Sequence, residues 1–217
     1  MSCNDDLYVV VPVRGLAEGK SRLASVLTPA QRTALNRTLL AHTLDVLLAW
    51  RGELAQCIVV SGCERVLGIA REAGAVTLME ENASGLNAAV TLAKAHAARS
   101  GARRVLVLPC DLPSLTQQTL ADFVERAAAA DVALAPDLSG SGTNALIIGT
   151  AHAFEFQFGP NSFALHSRAA AAVGARLFVH RASELAFDLD TPADLERWRL
   201  TPDACDIDKH QEAGNEV

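Results

Sequence analysis

Short, unbroken apolar runs recur along this chain, separated by amphipathic stretches of helical period, and that alternation restricts the fold more than any other feature. The runs occupy 7–13, 56–61, 75–79, 103–109, 131–136, 144–149, 175–180 and 186–189. An apolar run without polar alternation suits a strand covered on both faces, as in a parallel sheet between helical layers. The clearest helix signal begins at Thr28-Pro29-Ala30-Gln31. Thr28 can cap, Pro29 suits the first helical position, and Gln31 completes a capping box. Leu35, Leu39, Leu40, Val46 and Leu47 then hold helical spacing as far as Trp50. Further helices are predicted at 64–73, 85–100, 117–130, 162–173 and 192–199. Strand and helix in alternation predict an α/β fold, a three-layer sandwich around a mixed, mostly parallel sheet. The runs at 131–136 and 144–149 have no helix between them, so an antiparallel excursion is expected there.

The chain has 217 residues, half of them hydrophobic, which is enough for one sizeable core. Residues 1–200 read as a single domain and the polar stretch 201–217 as a loosely ordered tail. A net charge of −6 lends no support to a nucleic-acid-binding surface. No apolar run approaches the roughly 20 residues that a membrane-spanning helix needs. The start, Met1-Ser2-Cys3-Asn4-Asp5-Asp6, is acidic and lacks the apolar stretch of a secretory signal. None of the five cysteines pairs at the two-residue separation of zinc or redox motifs. Together these features predict a cytoplasmic protein with reduced thiols.

Chemistry is concentrated where apolar runs end. The loop Arg14-Gly15-Leu16-Ala17-Glu18-Gly19-Lys20-Ser21-Arg22 follows the first run and brings three cations within nine positions. Ligands of open α/β sheets bind outside the carboxyl ends of strands, so Arg14, Lys20 and Arg22 are candidate triphosphate contacts. A guanidinium binds phosphate oxygens as a fork and an ammonium as a point charge. Gly15 and Gly19 are expected to take positive φ and to let the backbone approach the phosphates. The spacing is not that of a Walker motif.

Asp111 follows the run 103–109, and Pro113 keeps Leu112 extended, so this carboxylate sits on a stiff turn. Asp188 and Asp190 stand at alternate positions at the end of the last run and would share one side of a strand. Such carboxylates suit a hard cation such as Mg²⁺, which takes one or two of them together with phosphate oxygens. Thr191 caps the last helix, with Asp194 as a helix-start charge. Gly85-Leu86-Asn87 opens a helix whose amides could read a base edge or a ribose. Gly142-Thr143-Asn144 and Gly159-Pro160-Asn161-Ser162 offer N–H and hydroxyl donors for a carboxylate or phosphate. His166 lies one turn into the following helix and is expected to face the same site.

In this order, the motifs resemble the 2-phospho-L-lactate guanylyltransferase family (CofC/FbiD) of deazaflavin coenzyme (F-420) biosynthesis, over roughly residues 7–199. The resemblance implies a nucleotide-diphosphosugar-transferase-like, Rossmann-like fold. It implies GTP as donor, with Mg²⁺ held around Asp111, Asp188 and Asp190. Lys20 and Asp111 become the expected catalytic residues, and Arg14, Gly15, Lys20, Arg22, Gly85, Leu86 and Asn87 the expected GTP contacts. Thr143, Gly159 and Ser162 match positions that hold the acceptor's carboxylate, with Asn161 and His166 beside them. The implied reaction transfers GMP from GTP to a small phosphorylated three-carbon acid and releases pyrophosphate. The acid is 2-phospho-L-lactate, phosphoenolpyruvate or 3-phospho-D-glycerate. Asn161 could bond a hydroxyl, which tilts the choice toward 3-phospho-D-glycerate. A downstream transferase that takes up the labile product is an expected partner. The residues alone leave open a sugar or molybdopterin nucleotidyltransferase of the same fold, and a GTP-binding protein without turnover.

Overall fold

The computed structural model describes residues 6–80 and 85–201. Seven strands are formed by Leu7–Pro12 (β1), Cys57–Ser61 (β2), Val76–Met79 (β3), Arg104–Val107 (β4), Val132–Pro136 (β5), Thr143–Gly149 (β6) and Leu177–Val179 (β7). They make one sheet in the order β3-β2-β1-β4-β6-β5-β7. β6 runs antiparallel to β4 and β5, and every other pairing is parallel. The link between β5 and β6 is too short to hold a crossover helix, so β6 must return in the opposite direction. The antiparallel excursion expected at 131–149 is therefore present.

Helices flank the sheet at Pro29–Arg51 (α1), Glu64–Glu72 (α2), Leu86–Arg99 (α3), Gln117–Arg126 (α4), Ser162–Ala172 (α5), Ser183–Ala186 (α6) and Pro192–Arg199 (α7). α1 starts as its sequence predicts. The Gln31 N–H donates to Thr28 Oγ1 and the Thr28 N–H donates to Gln31 Oε1. On one face of the sheet, Val9, Val11 and Val59 pack with Leu40, Leu44 and Leu47 of α1, Val66 and Leu67 of α2 and Phe123 of α4. On the other face, Val10, Ile58 and Val60 pack with Val90 and Ala93 of α3 and Ala170 of α5. Alternate residues of each strand thus feed opposite layers. That is why the runs are apolar throughout, and it produces the three-layer sandwich.

Two predicted elements end differently. The helix expected at 117–130 stops at Arg126, and turns follow. The run 186–189 joins no strand of the sheet. It leaves α6 extended and crosses the carboxyl ends of the strands, where the Leu189 N–H donates to the Asp111 carbonyl at 3.0 Å. Phe187 and Leu189 are buried in a third apolar cluster with Leu23, Leu35, Leu39, Leu195 and Trp198. An apolar run reads the same whether it pairs at a sheet edge or lies across strand ends.

No helix of the described residues is long and apolar enough to cross a membrane. The stretch 202–217 of the expected tail, the first five residues, and with them Cys3 and Cys205, lie outside the described residues.

Candidate active site

The third apolar cluster builds the site. Leu23 lies in the short 3-10 turn Ser21–Ser25 that follows Lys20, and Phe187 and Leu189 flank Asp188. Burying these apolar neighbours together brings two segments far apart in sequence side by side. The alternation of 187–190 then leaves Asp188 and Asp190 half-buried and turned away from the apolar cluster. Asp111 joins them through the Leu189 hydrogen bond to its carbonyl. Leu112 and Leu115, both fully buried, pin its turn to the core.

Lys20 is the centre of the arrangement. Its Nζ donates to Asp111 Oδ2 at 3.0 Å and to Asp190 Oδ1 at 2.9 Å, and its side chain is only 7% exposed. Burial opposes the ammonium charge, but the Asp111 and Asp190 carboxylates outweigh it and hold the pKa above the ordinary lysine value. Lys20 also has φ 57°, in the left-handed region. A non-glycine residue there is strained and persists only where its surroundings demand it. Two carboxylates gripping one ammonium supply that demand. Arg22 stands at the rim, 73% exposed, with Nη1 3.7 Å from Asp190 Oδ2.

Asp188 carries the electrostatic tension. Burial, then the neighbouring Asp111 and Asp190 charges, push its carboxyl up to about 6, while the Asn144 amide pulls the other way. Asn144 Nδ2 lies 3.3 Å from Asp188 Oδ1 and 3.0 Å from the Ala186 carbonyl. The register of β5 and β6 slips between Ala135 and Pro136, where Pro136 faces Thr143. The bulge leaves Asn144 without an opposite residue and frees its side chain for Asp188. The sequence motif places Asn144 beside donors for a ligand but does not point to its side-chain contact with Asp188. The signal was an amide within a strand otherwise apolar from Ala145 to Ile148.

The three carboxylates offer hard oxygen donors with excess negative charge, which suits Mg²⁺. Lys20 already engages one oxygen each of Asp111 and Asp190. Among the described residues, no three acidic, His or Cys side chains are gathered at metal-binding spacing. The fit is therefore to a cation held by one or two carboxylates together with substrate phosphates, the usual Mg²⁺ arrangement, rather than to an all-protein cage. Asp194 lies outside this set. Its Oδ2 accepts from the Asp190 and Thr191 N–H groups and from the Thr191 hydroxyl, so the expected helix-start charge also completes a capping box.

Other expected site residues are placed with different partners. Gly15 and Gly19 do not have positive φ; the left-handed position of the loop is Lys20 itself. The Gly15 carbonyl accepts from the Glu18 and Gly19 N–H groups, which closes the turn. A Cβ at Gly19 would stand 2.7 Å from Asn36 Nδ2, and that amide donates to the Leu16 carbonyl. Gly19 is small so that α1 can pin the loop. Arg14 is exposed.

Gly85 has φ 89° and opens α3 at the same end of the sheet, and Leu86 is exposed. The Asn87 side chain is bonded to the backbone of Phe158. Its Oδ1 accepts from the Phe158 N–H at 2.8 Å and its Nδ2 donates to the Phe158 carbonyl at 3.1 Å. It clamps the segment that leads to Gly159, which has φ 132° and so a backbone position reserved for glycine.

Ser162 begins α5 and is buried, and the Phe163 N–H donates to the Ser141 carbonyl, which docks the 137–142 loop against this helix start. Asn161 is exposed with φ 59°. Asparagine is enriched in the left-handed region, so the backbone accounts for this residue without a ligand. His166 does not face open solvent or a cleft. It is fully buried, with Nδ1 3.1 Å from Thr143 Oγ1 and Nε2 accepting from the Gln157 N–H at 3.0 Å.

Residues 7–201 match the family described as guanylyl transferase CofC like. Phosphoenolpyruvate guanylyltransferase of Rubrobacter xylanophilus is 40% identical over 88% of this chain and 92% of that protein. 3-Phospho-D-glycerate guanylyltransferase of Phenylobacterium zucineum is 36% identical over 85% of this chain and 86% of that protein. A structure from Desulfovibrio desulfuricans described as a nucleotide-diphospho-sugar transferase superposes with a TM-score of 0.69 at 13% identity. It covers 96% of both chains and shows the shared fold.

Proposed function

The chain belongs to the CofC-like family of guanylyl transferases, and from that premise we propose that it transfers GMP from GTP to a small phosphorylated three-carbon acid at the Lys20–Asp111–Asp190 cluster. The observation that carries this reading is the buried ammonium between two carboxylates from distant segments, at the carboxyl ends of the strands. A phosphate oxygen of the acid attacks the α-phosphorus of GTP. The bond to the bridging oxygen breaks, and pyrophosphate leaves with that oxygen. A phosphate is anionic at neutral pH, so the attack needs no strong general base. Lys20, and Arg22 at the rim, offset charge that builds on the phosphate oxygens. Asp111, Asp188 and Asp190 would hold Mg²⁺, whose part when bound is to neutralise charge on the phosphates. Thr143, Gly159 and Ser162 would take the acceptor's carboxylate, with Ser162 and the first amides of α5 as donors. Gly85, Leu86 and the backbone amide of Asn87 remain the proposed nucleotide contacts at the start of α3. Transfer of the product to a downstream transferase, and a place in deazaflavin coenzyme biosynthesis, belong to the same proposal.

On the acid itself, the Asn161 side chain no longer argues for a hydroxyl, since its left-handed backbone explains it. The phosphoenolpyruvate and 3-phospho-D-glycerate enzymes are similar at 40% and 36% identity, so both stand ahead of 2-phospho-L-lactate. Incubation with GTP, Mg²⁺ and each acid in turn is expected to release pyrophosphate with at least one of the first two. No release with any of the three acids contradicts the proposal. Release with CTP in place of GTP returns the same-fold alternatives.

A further inference from the structure

The geometry around His166 assigns the proton on its ring. A backbone N–H can only donate, so the Gln157 amide requires an unprotonated Nε2 at 3.0 Å. A cationic ring would set two donors against each other there. The ring is therefore neutral, and its one hydrogen sits on Nδ1, which faces Thr143 Oγ1 at 3.1 Å. Full burial against Phe154 and Phe158 supports the same state, and burial brings the ring down to about 4. With Nδ1–H donating into Oγ1, the hydroxyl hydrogen of Thr143 cannot point back at the ring. It must be directed elsewhere. Thr143 opens β6 and meets His166 of α5, and Ser162 at the start of that helix is buried and belongs to the same proposed pocket. Ser162 lies one turn before His166 on the same face of α5.

We propose that His166 is a positioning residue: its neutral ring donates from Nδ1 to Thr143 Oγ1 and so presets the Thr143 hydroxyl as a hydrogen-bond donor to the carboxylate of the acceptor. This rests on the acid-acceptor reading above and deepens it. The same ring accepts from the Gln157 N–H through Nε2, two residues before Gly159, so one buried side chain touches two of the segments that form the proposed acceptor pocket. A hydroxyl left free to rotate would point its hydrogen at the carboxylate only part of the time.

The test uses the full chain, GTP and the acid turned over best. Glutamine at this position can still accept from the Gln157 N–H but places no donor at Nδ1. His166→Gln is expected to raise the acid's KM roughly 10–100-fold, the loss of a hydrogen bond to a charged group. The KM for GTP should stay within about twofold. Thr143→Val should show the same split, and adding His166→Gln to it should raise the acid's KM no further. His166→Asn keeps a donor near Nδ1 and should lose less. The proposal is overturned if His166→Gln leaves the acid's KM unchanged, raises both KM values alike, or adds in full to Thr143→Val. Nitrogen-15 NMR of the wild-type histidines is independent of turnover and of variant folding. A neutral Nδ1–H ring for His166 near neutral pH supports the proposal, and an Nε2–H or cationic ring overturns it. If no acid is turned over, the functional reading fails, while the NMR result still tests the ring's proton.

Discussion

Replacing Lys20 with methionine is expected to slow pyrophosphate release on the order of 10³-fold and to destabilise the fold by about 2–3 kcal/mol. The ammonium is the only cation placed between Asp111 and Asp190 among the described residues, and Arg22 reaches only the far oxygen of Asp190. Without Lys20, two partly buried carboxylates face each other and Asp188 with no hydrogen-bonded counter-ion. Breaking a fully buried pair costs more, but Asp111 and Asp190 are 28% and 39% exposed, and water offsets part of the loss. Thermal melts should fall by roughly 5–10 °C in a domain of this size.

A second variant separates charge from backbone strain. Lys20→Gly removes the same ammonium but relaxes the left-handed position by about 1 kcal/mol. It should melt above Lys20→Met and be equally inactive. Activity recovered in the glycine variant would mean that the loop's shape, not the ammonium, does the work. Arginine is not a conservative exchange here. Its planar fork does not fit a point donor that reaches two carboxylates at 3.0 and 2.9 Å.

Asp188→Asn is expected to be slower by on the order of 10²-fold and yet more stable at neutral pH. The folded state raises this carboxyl from 3.8 to about 6, through burial and then the Asp111 and Asp190 charges. The folded form therefore holds a proton that the unfolded chain has released, over the window from about 4 to about 6. Wild-type stability falls as pH rises through that window, and the penalty is complete above it. Asparagine removes the charge while its carbonyl can still accept from Asn144. After allowance for solvent screening the gain is on the order of 1 kcal/mol, or roughly 2–4 °C, at neutral pH. The difference should vanish as pH drops below about 4. A variant both less active and less stable at neutral pH would show that Asp188 is held by attractions the structure does not contain. A residue that weakens the fold in order to concentrate charge at one point is a familiar property of sites that take a cation.

How much of this could be read from sequence depends on whether the signal is local. The layers follow directly, because Val9, Val10 and Val11 must feed opposite faces and only helices on both sides can cover them. The capping box of α1 and the Thr191 cap of α7 are local patterns and form as read, and Asp194 completes a second capping box at α7. Lys20, Asp111, Asp188 and Asp190 stand at the ends of apolar runs, and strand ends are where such sheets place ligands.

The misplaced features all depend on contacts between distant segments. Gly19 reads as a phosphate-loop glycine, but its size is set by Asn36 on α1. His166 reads as a ligand contact because it follows a loop motif, and Asn87 is expected to offer its helix-start amide, with no cue to what its side chain does. The side-chain polar atoms of both are used by Phe158, Gln157 and Thr143, the first two in a segment with no periodic pattern. The Asn144 contact with Asp188 was passed over because a single amide in a strand is ambiguous until the bulge beside Pro136 is known. The left-handed backbone at Lys20 had no local cue, since lysine is a poor residue for it and glycines lie nearby. That mismatch between residue and backbone is what singles the position out for the proposed role.

The most direct measurement is pyrophosphate release by Asp111→Asn beside the wild type, at saturating GTP, Mg²⁺ and acid. Asparagine keeps the shape of the turn and can still accept from Lys20, but it withdraws the charge that holds the ammonium and that the proposed Mg²⁺ would need. A rate lower by more than about 10²-fold, with the melting curve little changed, is the predicted result. A rate within about tenfold of the wild type would contradict the account, because the reaction would then proceed somewhere other than between Lys20 and the carboxylates that hold it.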